Sequence, residues 1–163
     1  MTPQTNRYPG ESATSEELFQ LAEEYNRASH ALLAIRRSGQ PLSRAPFHLT
    51  ALHAIELNLN ALLLFEGMQA QHLRALHHDL SARVEHELAA SLALKGRTVA
   101  HLSDASKKRE YLVSRYGTDQ MKTMSEINRL KATLEEIRIK VAIRLGAKAH
   151  SKRPPSAPEL RPD

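Results

Sequence analysis

Residues 45–67 read APFHLTALHAIELNLNALLLFEG, and this stretch decides the fold. Leu49, Leu52, Ile55, Leu59, Leu62, Leu63 and Phe65 place apolar side chains all round a helical axis instead of along one stripe. A helix of that kind has to be enclosed by other helices, so it is predicted to be the central one, from about Ala45 to Glu66. Pro46 falls in its first turn, where a missing N–H costs nothing, and Gly67 stands just past its end. Polar residues interrupt the apolar character, and three of them are aligned. His53, Glu56 and Asn60 lie at i, i+3 and i+7 and form a polar stripe along the rod. A carboxylate there must be paired or lie at an interface, because an unpaired buried charge is costly. The expected partner is an Arg or Lys from the fourth helix.

Upstream, Thr14-x-x-Glu17 has the form of a capping box. Leu18, Leu21, Tyr25, Ala28, Leu32 and Ile35 follow at spacings of three and four, which predicts a first helix over 15–38. The connector GQPLSRAP supplies Gly39, Pro41 and a cap at Ser43. Downstream, Leu73, Leu76, Leu80, Val84, Leu88 and Leu92 fit either one helix or a short turn followed by a longer helix. The break would fall at His77-His78-Asp79, with His78 or Asp79 as the cap. A fourth helix is predicted over 98–116, stopped by Gly117, and a fifth over 119–146. In the fifth, Ile127, Leu130, Leu134, Ile137, Val141 and Leu145 recur at nearly heptad spacing, while Ile139 and Ile143 make a second stripe that would bury another face. Residues 1–13 and the basic, proline-rich residues 148–163 are expected to be disordered. The architecture is therefore all-α: an up-and-down bundle of four to five helices over 14–147.

Composition agrees. With no Trp, three Phe and only 4% aromatic residues, the core must be built from Leu, Ala, Ile and Val, which favours packed helices over sheets. There is no cysteine, which excludes disulfides and thiolate chemistry. The first residues lack the apolar segment of a signal peptide, and polar residues interrupt the apolar run at 49–65. A cytoplasmic protein without a membrane span is expected. The net charge of +5 is unevenly placed: residues 1–100 hold 9 Lys/Arg against 10 Asp/Glu, and residues 101–163 hold 14 against 8. Such asymmetry points to a polyanionic partner, since phosphates exchange condensed counterions for Lys and Arg.

The familiar catalytic signatures are missing. No HExxH, GxSxG, GxGxxG or GxxxxGK[ST] occurs, and no ExxH pair repeats as di-metal bundles require. His53 with Glu56, and the cluster His77, His78 and Asp79, read as satisfied polar residues, so no metal and no cofactor is expected. The informative stretch is KKREYLVSRYG, residues 107–117. On an ideal helix Lys108, Tyr111 and Arg115 share one face, and Arg109, Leu112, Val113 and Tyr116 another. Such a helix can dock on its own bundle and still offer Lys107, Lys108, Arg109 and Arg115 to phosphates, with Tyr111 or Tyr116 stacking on a base.

Four segments together resemble the HEPN domain, a small all-α module linked to RNA and nucleotide biology. They are HAIELNLNALLLFEG, LRALHHDLSARV, REYLVSRYG and the long final helix, spanning residues 15 to about 146. HEPN ribonucleases carry an Arg followed four to six residues later by His, and in one branch Arg-x4-His-x-Tyr. The resemblance puts Arg109 at the arginine position and Tyr116 at the tyrosine position, but Ser114 stands where the histidine belongs. Serine cannot replace imidazole as acid or base. The resemblance implies a homodimer that binds RNA or a nucleotide ligand without efficient catalysis. One alternative is an active, metal-independent endoribonuclease, a toxin restrained by a nucleotidyltransferase-type antitoxin, with His77 or His78 supplying the ring. Another is a helical adaptor that binds only protein. A further Arg-x5-His pair, Arg144 and His150, runs out of the last helix and is read as coincidence.

Overall fold

The computed structural model describes residues 7–146. Within them lie seven α-helices and no strand: α1 (Ser15–Ala34), α2 (Ala45–Phe65), α3 (Ala70–Ala75), α4 (Leu80–Glu85), α5 (Gly96–Lys107), α6 (Glu110–Tyr116) and α7 (Ile127–Leu145). Short 3-10 turns cover Pro41–Arg44, Glu87–Leu92 and Met121–Thr123. The chain is all-α, with α2 at the centre and α1, α4, α6 and α7 packed on it. Ile55, Leu59, Leu62 and Leu63 of α2 are completely buried, as are Leu102, Leu130, Ile137 and Val141 on the helices around them. Each such side chain contributes about 1.5–3 kcal/mol on leaving water.

The helix ends follow local chemistry. At α1, Thr14 Oγ1 accepts from Glu17 N–H and the Glu17 carboxylate accepts from Thr14 N–H, so the capping box closes in both directions. Asp79 caps α4 by accepting from Ala82 N–H at 3.0 Å. Of residues 1–13, expected to be disordered, 1–6 lie outside the described residues, but 7–13 turn back on the bundle, with the Arg74 guanidinium over the Tyr8 ring, 4.8 Å from its centroid. Residues 148–163, expected to form a disordered tail, lie outside the described residues.

Four expectations about element boundaries need correction. The segment between Gly67 and Gly96, read as one helix or as a turn and a longer helix, is two six-residue helices followed by the 3-10 turn Glu87–Leu92. The first helix stops at Ala34 instead of 38. The predicted fourth helix is two helices, broken at Lys108–Arg109. The predicted fifth helix starts at Ile127, because residues 118–126 are fastened to the bundle as a loop. Glu110, only 1% exposed, accepts from both the N–H and the hydroxyl of Ser125 at 2.7 Å. The Ser125 carbonyl receives His48 Nε2 at 2.8 Å, and the Met124 carbonyl receives Arg44 Nη2 at 3.0 Å. His101 closes the system, with Nε2 2.7 Å from Ser125 Oγ and Nδ1 2.7 Å from Thr133 Oγ1. Arg44, His48 of α2 and Glu110 of α6 thus hold backbone groups that a helix would have used internally, and His101 of α5 fixes the Ser125 hydroxyl. The Ile139–Ile143 stripe, expected to be buried, lies on the surface, with Ile143 74% exposed.

Candidate nucleic-acid interface

The break between α5 and α6 sets the geometry of the basic segment. Lys108 ends α5, and Arg109 takes a left-handed conformation with φ 53° while capping α6. For a residue with a Cβ this costs about 1–2 kcal/mol. The kink turns Glu110 into the core, where it binds Ser125, and leaves Lys107, Lys108 and Arg109 exposed in succession. Lys108 pairs with Asp104 at 2.7 Å, and that hydrogen bond raises its pKa. Lys107 and Arg109 form no ion pair among the described residues. At the far end of α6, about 10 Å along the axis, Tyr116 is 76% exposed and Arg115 is exposed beside it. Gly117 ends the helix in a tight turn, where an added Cβ would sit 2.9 Å from Val113 Cα.

The kink also divides the face predicted for Lys108, Tyr111 and Arg115. Lys108 leaves the register, while Tyr111 and Arg115 line a narrow cleft with His53 and Glu56 of α2 and His78. The His78 ring lies 5.0 Å from the Tyr111 ring, and its Nδ1 is 3.1 Å from Glu56 Oε2. His53 packs edge-on to Tyr25 at 4.5 Å. Burial lowers the His53 pKa, and Arg115 lowers it further against the opposing pull of Glu56. The free space is about 10 Å³, roughly the room that one water needs. A nucleotide does not enter this cleft as packed; only its mouth, at Arg115 and His78, can meet a ligand.

Below the cleft sits a residue that the sequence reading missed. Arg83 of α4 is 2% exposed, and all five of its N–H donors have acceptors. Nε donates to Asn60 Oδ1 at 2.8 Å, and Nη1 to the carbonyls of Asp79 at 3.0 Å and Leu76 at 3.4 Å. Nη2 donates to the His77 carbonyl at 2.6 Å and to Glu56 Oε1 at 3.4 Å. The polar stripe on α2 therefore finds its cation on α4, not on the predicted fourth helix. Burial lowers the Arg83 pKa, with Glu56 and Asp79 opposing. His77 is exposed and left-handed, φ 46°, a backbone state that delivers its carbonyl to Arg83.

Ser114, at the histidine position of the resemblance, is 6% exposed and donates its hydroxyl to the Tyr111 carbonyl at 3.2 Å. It does not reach the surface occupied by Arg109 and Tyr116. Among the described residues no three His, Asp or Glu side chains converge as metal ligands. The Pro41–Phe65 segment is long and apolar enough to cross a membrane by composition, and 67% of its apolar window is buried by the other helices. Compared with protein-family models, curated proteins and solved structures, the chain matches none.

Proposed function

We propose that this all-α domain binds single-stranded RNA, or a nucleotide ligand, along the outer edge of α6, and that it does so as a HEPN-like homodimer without efficient catalysis in the cytoplasm. The observation that carries the reading is the surface left by the α5–α6 break. Lys107 and Arg109, without an ion pair among the described residues, stand at one end of a seven-residue helix, with Arg115 and a three-quarters exposed Tyr116 at the other. Cations that follow a backbone, together with an aromatic face for a base, are what sequence-tolerant single-strand binding needs. Ser114 supports the non-catalytic form, since its hydroxyl is buried and already bonded. The exposed Ile139 and Ile143 on α7 supply apolar surface for a second copy.

One observation favours a second reading, the metal-independent ribonuclease. His78, Arg115 and Tyr111 share one cleft, with Glu56 bonded to the His78 ring, so an imidazole oriented by a carboxylate stands beside a guanidinium. Incubation of the full chain with a labelled single-stranded RNA at low salt separates the two. Binding without cleavage, weakened by Lys107→Ala with Arg109→Ala, is the expected result. Cleavage lost in both His78→Ala and Arg115→Ala assigns the enzyme instead. No binding at low salt refutes both and leaves a protein-binding adaptor.

A further inference from the structure

A second positive surface lies where α1 turns into α2. Arg36, Arg37, Arg44 and Lys122 line a basin of about 290 Å³, with Gly39, Gln40 and Pro41 as the remaining wall. No acidic residue lines it, and none of the four cations forms an ion pair among the described residues. The volume is close to the lower limit for small-ligand pockets, and far above the single-water space beneath α6. Four positive charges around one open concavity attract anions and no cation.

The backbone beneath the basin is tied by hydrogen bonds, and one of its four cations, Arg44, is itself anchored. Ser43 Oγ accepts from the Arg37 N–H at 3.0 Å and lies 2.9 Å from the Arg37 carbonyl and 2.8 Å from the Gln40 carbonyl, tying the turn across its base. Gly39, with φ 71°, makes the reversal. Arg44 is anchored by its Nη2 bonds to the carbonyls of Met124 and Ser125. Its Nε is buried and has no hydrogen-bond partner among the described residues. The same loop, held through Ser125 by Glu110 and His101, carries Lys122 to the opposite wall.

We infer that this basin is a phosphate-binding site, seating either the polyphosphate of a nucleotide or backbone phosphates of a nucleic acid. It stands on its own geometry and does not require the α6 surface to bind RNA. The test is calorimetric titration of the full chain with inorganic triphosphate at low salt, comparing wild type, Arg37→Glu with Lys122→Glu, and Lys107→Glu with Arg109→Glu. All four positions are exposed, and circular dichroism checks that each variant keeps its helices. The site predicts that triphosphate binds wild type, that the basin variant weakens it tenfold or more, and that the α6 variant changes it less than twofold. Absence of triphosphate binding, or equal weakening in both variants, overturns the site. A competing 12-residue oligouridylate identifies the source: displacement of triphosphate assigns the basin to nucleic-acid backbone, and failure to displace assigns it to a nucleotide polyphosphate. RNA binding lost only in the α6 variant, with triphosphate untouched by the basin variant, sinks the basin and leaves the α6 reading standing.

Discussion

Arg83 illustrates how much of this bundle depends on polar residues placed inside it. Its guanidinium uses every donor, and removing it would take a donor away from Glu56, Asn60 and three carbonyls. Breaking a buried pair of this kind costs about 3–5 kcal/mol. Arg83→Met is expected to lower unfolding free energy by about that amount in urea, and a loss under 1 kcal/mol would refute the assignment. His101 makes a prediction about pH. Ser125 donates its hydroxyl to Glu110, so its oxygen accepts from His101 Nε2–H, and Nδ1 accepts from the Thr133 hydroxyl. The neutral ring is the one that fits. Burial, then Arg129, lowers its pKa from 6.5 to about 4. A lowered histidine pKa means the unfolded chain takes up the proton first, so stability is complete above 6.5 and falls as pH drops toward 4. The loss is about 3 kcal/mol. His101→Gln should flatten the profile across that window; an unchanged slope would show that another group titrates.

At the level of elements, the α5–α6 break is the feature with the most consequence. Apolar periodicity located α1, α2 and α7, and it marked α2 as central because its apolar residues surround the axis. Between Gly67 and Gly96 it offered one helix or a turn and a longer helix, where two six-residue helices and a 3-10 turn stand. It could not locate the α5–α6 break. Residues 98–116 keep helical spacing throughout, and the kink comes from contacts distant in sequence: Glu110 reaches Ser125, which His101 and His48 also bind. The same contacts explain why 118–126 is a loop despite its lack of strong breakers. The need for a partner to Glu56 was legible, but not that Arg83 supplies it, because spacing within one helix says nothing about which neighbour faces it. Arg109 gives the break its own test. Glycine at φ 53° escapes the left-handed penalty. Arg109→Gly should therefore stabilise the fold by about 0.5–1 kcal/mol while weakening RNA binding. A fall in melting temperature would contradict the account of the kink.

On the scale of the whole molecule, charge and apolar surface separate. The cations of α5–α6 and of the α1–α2 turn are exposed, whereas the C-terminal cations of α7 are largely spent internally. Arg138 reaches Glu23, Lys140 reaches Glu136 and Arg144 reaches Glu66. The charge asymmetry read from the sequence was real, but part of it serves cohesion instead of ligand binding. Exposed Ile139 and Ile143 lie on that same helix. If they cover a second copy, sedimentation equilibrium should give a dimer for the wild type and a monomer for Ile139→Glu with Ile143→Glu. A wild-type monomer at all concentrations would remove the dimer from the proposal.

The most direct measurement is the salt dependence of RNA affinity. Each phosphate neutralised on a single strand contributes a slope of about 0.7 in the plot of log affinity against log salt. Replacing Lys107 and Arg109 by Ala should reduce the slope by about 1.4, with weaker binding at every salt concentration. Identical slopes and affinities for the two proteins would contradict the claim that the edge of α6 holds RNA.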